Sequence, residues 1–238
     1  VSGDLQSTTV GTALANALTV RLFDQYNNTV AGKTVVFTPS SFNGNATATG
    51  SVAGTDNGDG TYSATWTLGT GAGPQLLTAS YDLGGLNELT AAFTATATAG
   101  APAFIDYLIT DPEVDNTASP RSATVNTVVS PRPEVVVTDT YGNPVPNADV
   151  TFAVVSGLSY PGQGSLDDAG TPASTVTVST DAAGQAHALW TLGTTAGANQ
   201  VSATVGSLTA RTFNAQGSAG SLDHWLVTPS TRAPAAGA

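Results

Sequence analysis

Apolar side chains recur at every second position through most of this chain, and no stretch follows a helical period. Leu18, Val20 and Leu22 alternate with Thr19, Arg21 and Phe23, which predicts a half-buried strand ending at Asp24. Val135 and Val137 point inward in the same way, with Thr138 outward. Val35 and Phe37 form a second inward row, matched by Val150, Phe152 and Val154. Tyr62, Ala64, Trp66 and Leu68 alternate with Ser63, Thr65 and Thr67, which predicts one continuous hairpin arm; Ala186, Ala188, Trp190 and Leu192 repeat it. Leu77, Ala79 and Tyr81, then Leu89, Ala91 and Phe93, complete the first set; Val201, Ala203 and Val205, then Leu208, Ala210 and Phe213, complete the second. Phe213 is out of parity with Leu208, so a bulge is expected there.

Between the rows stand Tyr26-Asn27-Asn28, Tyr141-Gly142-Asn143-Pro144 and Asp56-Asn57-Gly58-Asp59-Gly60, residue types that accept positive φ or fix it near −65°. Seven or so short strands per set, separated by such turns, predict an all-β fold of antiparallel sandwiches with essentially no helix. Trp66, Trp190, Phe37 and Phe152 are the expected core anchors.

The two sets are copies. Asp24 and Asp139 stand 115 residues apart, Trp66 and Trp190 124, and Gly100 and Gly220 120. A period of about 120 residues suits one small sandwich, so the chain reads as a tandem array. The expected division is 1–98, a sandwich lacking its own first strand; 99–218, a complete sandwich; and 219–238, the first strand of a following repeat. Thr94 to Gly100 reads as a short join. AGAPAFIDYLIT before the second copy has its counterpart in AGSLDHWLVTP, where Tyr107 and Trp225 are taken as equivalents. Tyr107, Leu108, Trp225, Leu226 and Val227 are accordingly the expected strand-donor or interdomain residues.

GTALANALTVRLFDQYNNTVAGKTVVF and VNTVVSPRPEVVVTDTYGNPVPNADVTF, followed by TYSATWTLGTGAGPQLLTAS and TDAAGQAHALWTLGTTAGANQVSAT, resemble the bacterial group 1 Ig-like domains of invasin and intimin type adhesin stalks. The likeness spans nearly the whole chain. It implies tandem Ig-like sandwiches acting as spacers on a bacterial surface, with Asp24 and Asp139 at strand ends and both tryptophans in the core. It further implies neighbouring repeats as partners, and a host or cell-surface receptor reached through other domains.

Seventeen acidic residues against six basic ones give a net charge of −11, which disfavours nucleic acid and anionic lipid as partners. There is no cysteine, hence no disulfide or thiolate metal site, and no apolar run approaches the ~20 residues of a membrane span. With no methionine and Val1 first, the residues are expected to continue a longer precursor, exported to the extracellular side.

Asp56, Asn57 and Asp59 have the oxygen chemistry that calcium takes, but Gly58 occupies what would be a ligand position. Asp111, Glu113 and Asp115 form a second weak calcium candidate near the domain junction. Solvated turns are the plainer reading of both, and no cofactor is expected. His187 and His224 read as surface side chains. Nothing pairs a histidine with a nucleophile, and no G-x-S-x-G elbow occurs, so the chain is not expected to be an enzyme.

Two other functions fit the residues. The chain is a filament subunit if residues 221–229 donate the missing strand of the next subunit. It is a carbohydrate-binding module of a secreted enzyme or phage particle if Tyr107, Tyr160 and Trp225 form an exposed platform.

Overall fold

The structure is a computed structural model and describes residues 1–40, 52–84, 87–108, 121–157, 164–168 and 170–224. Every regular element among them is a β-strand. In the N-terminal half, one sheet has the order β1 (Gln6–Thr9), β8 (Asn87–Thr98), β7 (Gly73–Gly84), β3 (Val36–Ser40), β4 (Val52–Ala53). The opposing sheet is β2 (Leu18–Arg21), β6 (Thr61–Ala64), β5 (Thr55–Asp56). Leu18, Val20, Tyr62 and Trp66 from one side meet Phe37, Leu77, Ala79 and Phe93 from the other in a single buried cluster.

The C-terminal half repeats the plan. β10 (Arg121–Thr124), β18 (Arg211–Ser218), β17 (Gly197–Thr204), β12 (Asp149–Val155) and β14 (Thr175–Ser179) form the larger sheet. β9 (Phe104–Tyr107), β11 (Glu134–Thr138) and β15 (Gln185–His187) form the smaller one, with β13 (Ser165–Asp167) paired to β16 (Leu189–Thr191). Val135, Val137, Ala186 and Trp190 pack on Phe152, Val201, Ala203 and Phe213 in a second cluster. Burial of these alternate positions drives the fold: each fully buried large apolar side chain contributes about 1.5–3 kcal/mol.

Several expectations need correction. Among the described residues the pairing is antiparallel with two exceptions: β1 runs parallel to β8, Gln6–Thr9 against Ala95–Thr98, and β10 runs parallel to β18, Arg121–Thr124 against Ala215–Ser218. The run beginning at Thr94 is therefore no loose join, because Ala95 to Thr98 is the paired end of β8.

The tryptophan arm is also not continuous. It breaks at Ala188, whose N–H donates to Pro133 O at 3.2 Å, so β15 pairs with β11 while β16 turns to β13. The anticipated bulge at Phe213 is replaced by a turn closed by the Leu208 N–H on Val205 O, after which the β17–β18 ladder runs unbroken from Arg211. A register shift occurs instead in the first copy, between Asp82 and Gly84. Leu89, expected inward, is exposed.

Candidate interaction site at the repeat ends

Asp139 is the buried centre of a turn that joins the two sandwiches. The sequence Asp-Thr-Tyr-Gly-Asn closes because the Asp139 carboxylate reaches over its own backbone: Oδ1 accepts the N–H of Tyr141 at 2.8 Å and of Asn143 at 2.9 Å. Gly142 supplies the positive φ of 83° that the turn requires. Oδ2 accepts the side-chain amide of Asn143 at 2.8 Å and the backbone N–H of Gly100, the linker residue, also at 2.8 Å.

Asn143 then faces away from its own sandwich. Its Oδ1 accepts the Ala72 N–H at 2.8 Å, and its Nδ2 donates to Thr70 O at 2.8 Å. The Gly69–Gly73 loop so held is kept in shape from behind by buried Gln75, which accepts the Gly69 N–H and donates to Gly71 O. Asp139 has 0% relative exposure. Burial raises its pKa, but donation from the Asn143 amide and from the Gly100, Asn143 and Tyr141 N–H groups outweighs it, leaving the carboxyl below its ordinary value.

The first copy builds the same turn. Asp24 Oδ1 accepts the N–H groups of Tyr26 and Asn28, and Oδ2 accepts the Asn28 side-chain amide. Asn27 takes the positive φ of 64° where the second copy has Gly142. The Asn28 amide leads the donors that lower the pKa of Asp24. Asp24, Tyr26 and Asn28 are all exposed.

The acidic candidates fall differently. Asp56 accepts the Gly58 and Gly32 N–H groups, and Asp59 accepts from Thr61 and lies 4.0 Å from Arg21, so both carboxylates close a turn. No group of three metal-ligating side chains occurs among the described residues. Asp111, Glu113, Asp115, Tyr160, Trp225, Leu226 and Val227 lie outside the described residues.

The anticipated aromatic platform is not what Tyr107 makes. Its ring meets Phe213 edge-on at 5.2 Å, and its hydroxyl donates to Thr212 O at 2.9 Å. Half-buried, it packs against the core of the second sandwich, with Arg211 stacked on it. Leu108 follows, half-buried. His187 lies beside Glu134 at 3.7 Å on a partly exposed face. Trp66, Trp190, Phe37 and Phe152 are all buried. Sequence reading placed Asp24 and Asp139 only at strand ends and missed Asn28 and Asn143. The recurrence of Asp, then Tyr two residues on and Asn four residues on, in both copies was the available signal.

No family model and no curated protein matches the chain. Among solved structures the chain is similar to the Escherichia coli adhesin FdeC, at 19% identity over 89% of this chain and 62% of that one, with a TM-score of 0.45. It is similar to the Yersinia pseudotuberculosis adhesin InvE, at 26% identity over 89% of this chain and 56% of that one, TM-score 0.38. It is also similar to invasin, a bacterial integrin-binding protein, at 19% identity over 91% of this chain and 38% of that one, TM-score 0.35. The chain thus spans less than two thirds of each of these structures. Its own sheets and its two separate cores make it an all-β protein of two successive Ig-like β-sandwiches.

Proposed function

We propose that the chain is a non-enzymatic structural module of the bacterial cell surface, a run of sandwiches that spaces a binding domain away from the cell. The observation that supports this reading most is the hydrogen-bonded joint: Asn143 of one copy grips the Thr70–Ala72 loop of the copy before it, so the repeats are fixed end to end. The sequence likeness of both copies to adhesin stalk repeats agrees with it. The denatured mass of the native polypeptide from its source tests the reading. A mass many times that of 238 residues is expected; a mass close to it would replace a covalent array by separate subunits.

One observation favours a filament of strand-exchanging subunits as a second reading. In the second sandwich β9 pairs with β11 over Val135–Thr138. In the first, β2 is paired on one side by β6, while Ser2 bridges Thr19 and Val20 to Phe23 border an open groove with Tyr81, Leu89 and Ala91. An unpaired edge beside apolar side chains is what strand addition requires. Residues 221–229 of a neighbouring subunit are the occupant on this reading. A synthetic peptide of that sequence should then bind the 238-residue chain and protect the Arg21 and Phe23 amides, which face the open edge, from exchange. No protection at saturating peptide would dismiss strand donation.

A further inference from the structure

The internal joint has two halves, and the chain carries a second example of each at its opposite ends. The receiving half is the Asp-x-Tyr-x-Asn turn. In the joint it holds Gly100, Thr70 and Ala72; its counterpart, Asp24 to Asn28, repeats every internal hydrogen bond of the turn and stands exposed. Tyr141 belongs to the same contact, because a Cβ at Gly11 of the first sandwich would lie 3.4 Å from its hydroxyl. Tyr26 holds the equivalent place in the free turn.

The delivered half is the loop after the tryptophan strand. Gly69-Thr70-Gly71-Ala72-Gly73 corresponds to Gly193-Thr194-Thr195-Ala196-Gly197. The two loops are seated alike: Gly69 O accepts the Gly11 N–H at 3.1 Å, and Gly193 O accepts the Asn126 N–H at 3.1 Å. Behind them sit buried Gln75 and buried Asn199. Exposure separates the used loop from the free one, since Gly71 and Ala72 are half-buried whereas Thr195 and Ala196 are exposed.

We propose that the Asp24–Asn28 turn is a docking site for the Thr194–Ala196 loop of a second copy of this chain. Asn28 Oδ1 accepts the Ala196 N–H of the second copy, and Asn28 Nδ2 donates to its Thr194 O, as Asn143 does with Ala72 and Thr70. The contact is head to tail, so between copies of this chain it propagates rather than closes. The inference rests on the duplication of the sandwich and not on a surface role, and it requires nothing of residues 221–229.

Sedimentation of the 238-residue chain over a concentration series tests it, together with Asn28→Ala and Ala196→Pro. Both substitutions fall on exposed turns, outside either core. The unaltered chain should form end-to-end oligomers. Each variant loses one half of the joint and should associate about tenfold or more weakly, the effect of one to two hydrogen bonds. Mixed together, the two variants should recover a dimer and nothing longer, because each supplies the half the other lacks. A chain ending at Gly220 should behave like the intact one, which separates this contact from strand donation. A chain that stays monomeric at its highest soluble concentration, or association that neither variant weakens, would overturn the proposal.

Discussion

Trp190→Ala should destabilise the second sandwich by about 3–5 kcal/mol, the largest loss available to a single side chain here. Trp190 has 0% relative exposure and stands opposite Leu166 on β13, in the cluster that also holds Phe152, Val201 and Phe213. The ladders that fix β16 and the facing sheet limit how far either can collapse into the space. A domain of this size has on the order of 5–15 kcal/mol of net stability, so the loss takes a large share of it. Scanning calorimetry should show the intact chain's second-sandwich transition moving down in temperature while the first, with its own core around Trp66 and Phe37, stays in place. A uniform shift of both transitions would mean that the two cores melt as one unit.

Asp139→Ala is the second large effect, and it acts on the joint as well as on stability. Removal of the carboxylate leaves the N–H groups of Gly100, Tyr141 and Asn143 and the Asn143 side-chain amide without their acceptor. Stranded donors in a buried turn cost about 2–4 kcal/mol together. Freed from Asp139, Asn143 no longer has a fixed amide to offer Thr70 and Ala72. Nitrogen-15 relaxation should then report faster independent tumbling of the two sandwiches, whereas the corresponding Asp24→Ala change at the exposed turn should leave their relative motion as it was.

The same carboxylate sets a pH dependence. Its folded pKa lies below the ordinary value, so the folded state binds the proton less readily than the unfolded chain does. The stabilisation is fully present above the unfolded aspartate pKa of about 3.9 and is lost as pH falls through the lowered folded pKa. Loosening of the joint in acid, absent from Asp139→Ala, is the expected result; a joint equally firm on both sides of that window would contradict it.

Much of the fold was legible because burial on a strand has period two. Leu18, Val20, Phe37, Phe152, Trp66 and Trp190 declare their inward face through their neighbours alone. What the alternation could not show is which strand pairs with which. The parity from Tyr62 to Leu68 is unbroken, yet the strand hands over from one partner to another near Thr65, because a corner between sheets preserves the inward sequence of side chains while redirecting the ladder. Parity likewise misplaced Ala210, which is exposed between the Leu208 turn and the start of β18.

The joint was half legible. Asp, Gly and Asn announce a turn through their local chemistry, but that Asn143 faces the preceding sandwich depends on where Gly100 delivers the chain. That is a tertiary fact, written in no local window. Tyr107 shows the opposite error: an aromatic beside an expected junction was read as exposed, and Phe213, more than a hundred residues later in sequence, supplies the surface that covers it.

The two parallel ladders, β1 on β8 and β10 on β18, decide how such a chain would answer a pull on its ends. In each sandwich an early strand lies alongside the last one and points the same way, four residues against four. Tension drawing the two termini apart slides those strands past each other, so the bonds between them are loaded in shear and must yield together. A hairpin pulled from its open end would unzip one rung at a time at far lower force. Sliding β8 away from Gln6–Thr9 is therefore the toughest event on the mechanical path of the first sandwich, and a proline at Ser7 or Thr8 would lower the rupture force far more than it lowers the melting temperature.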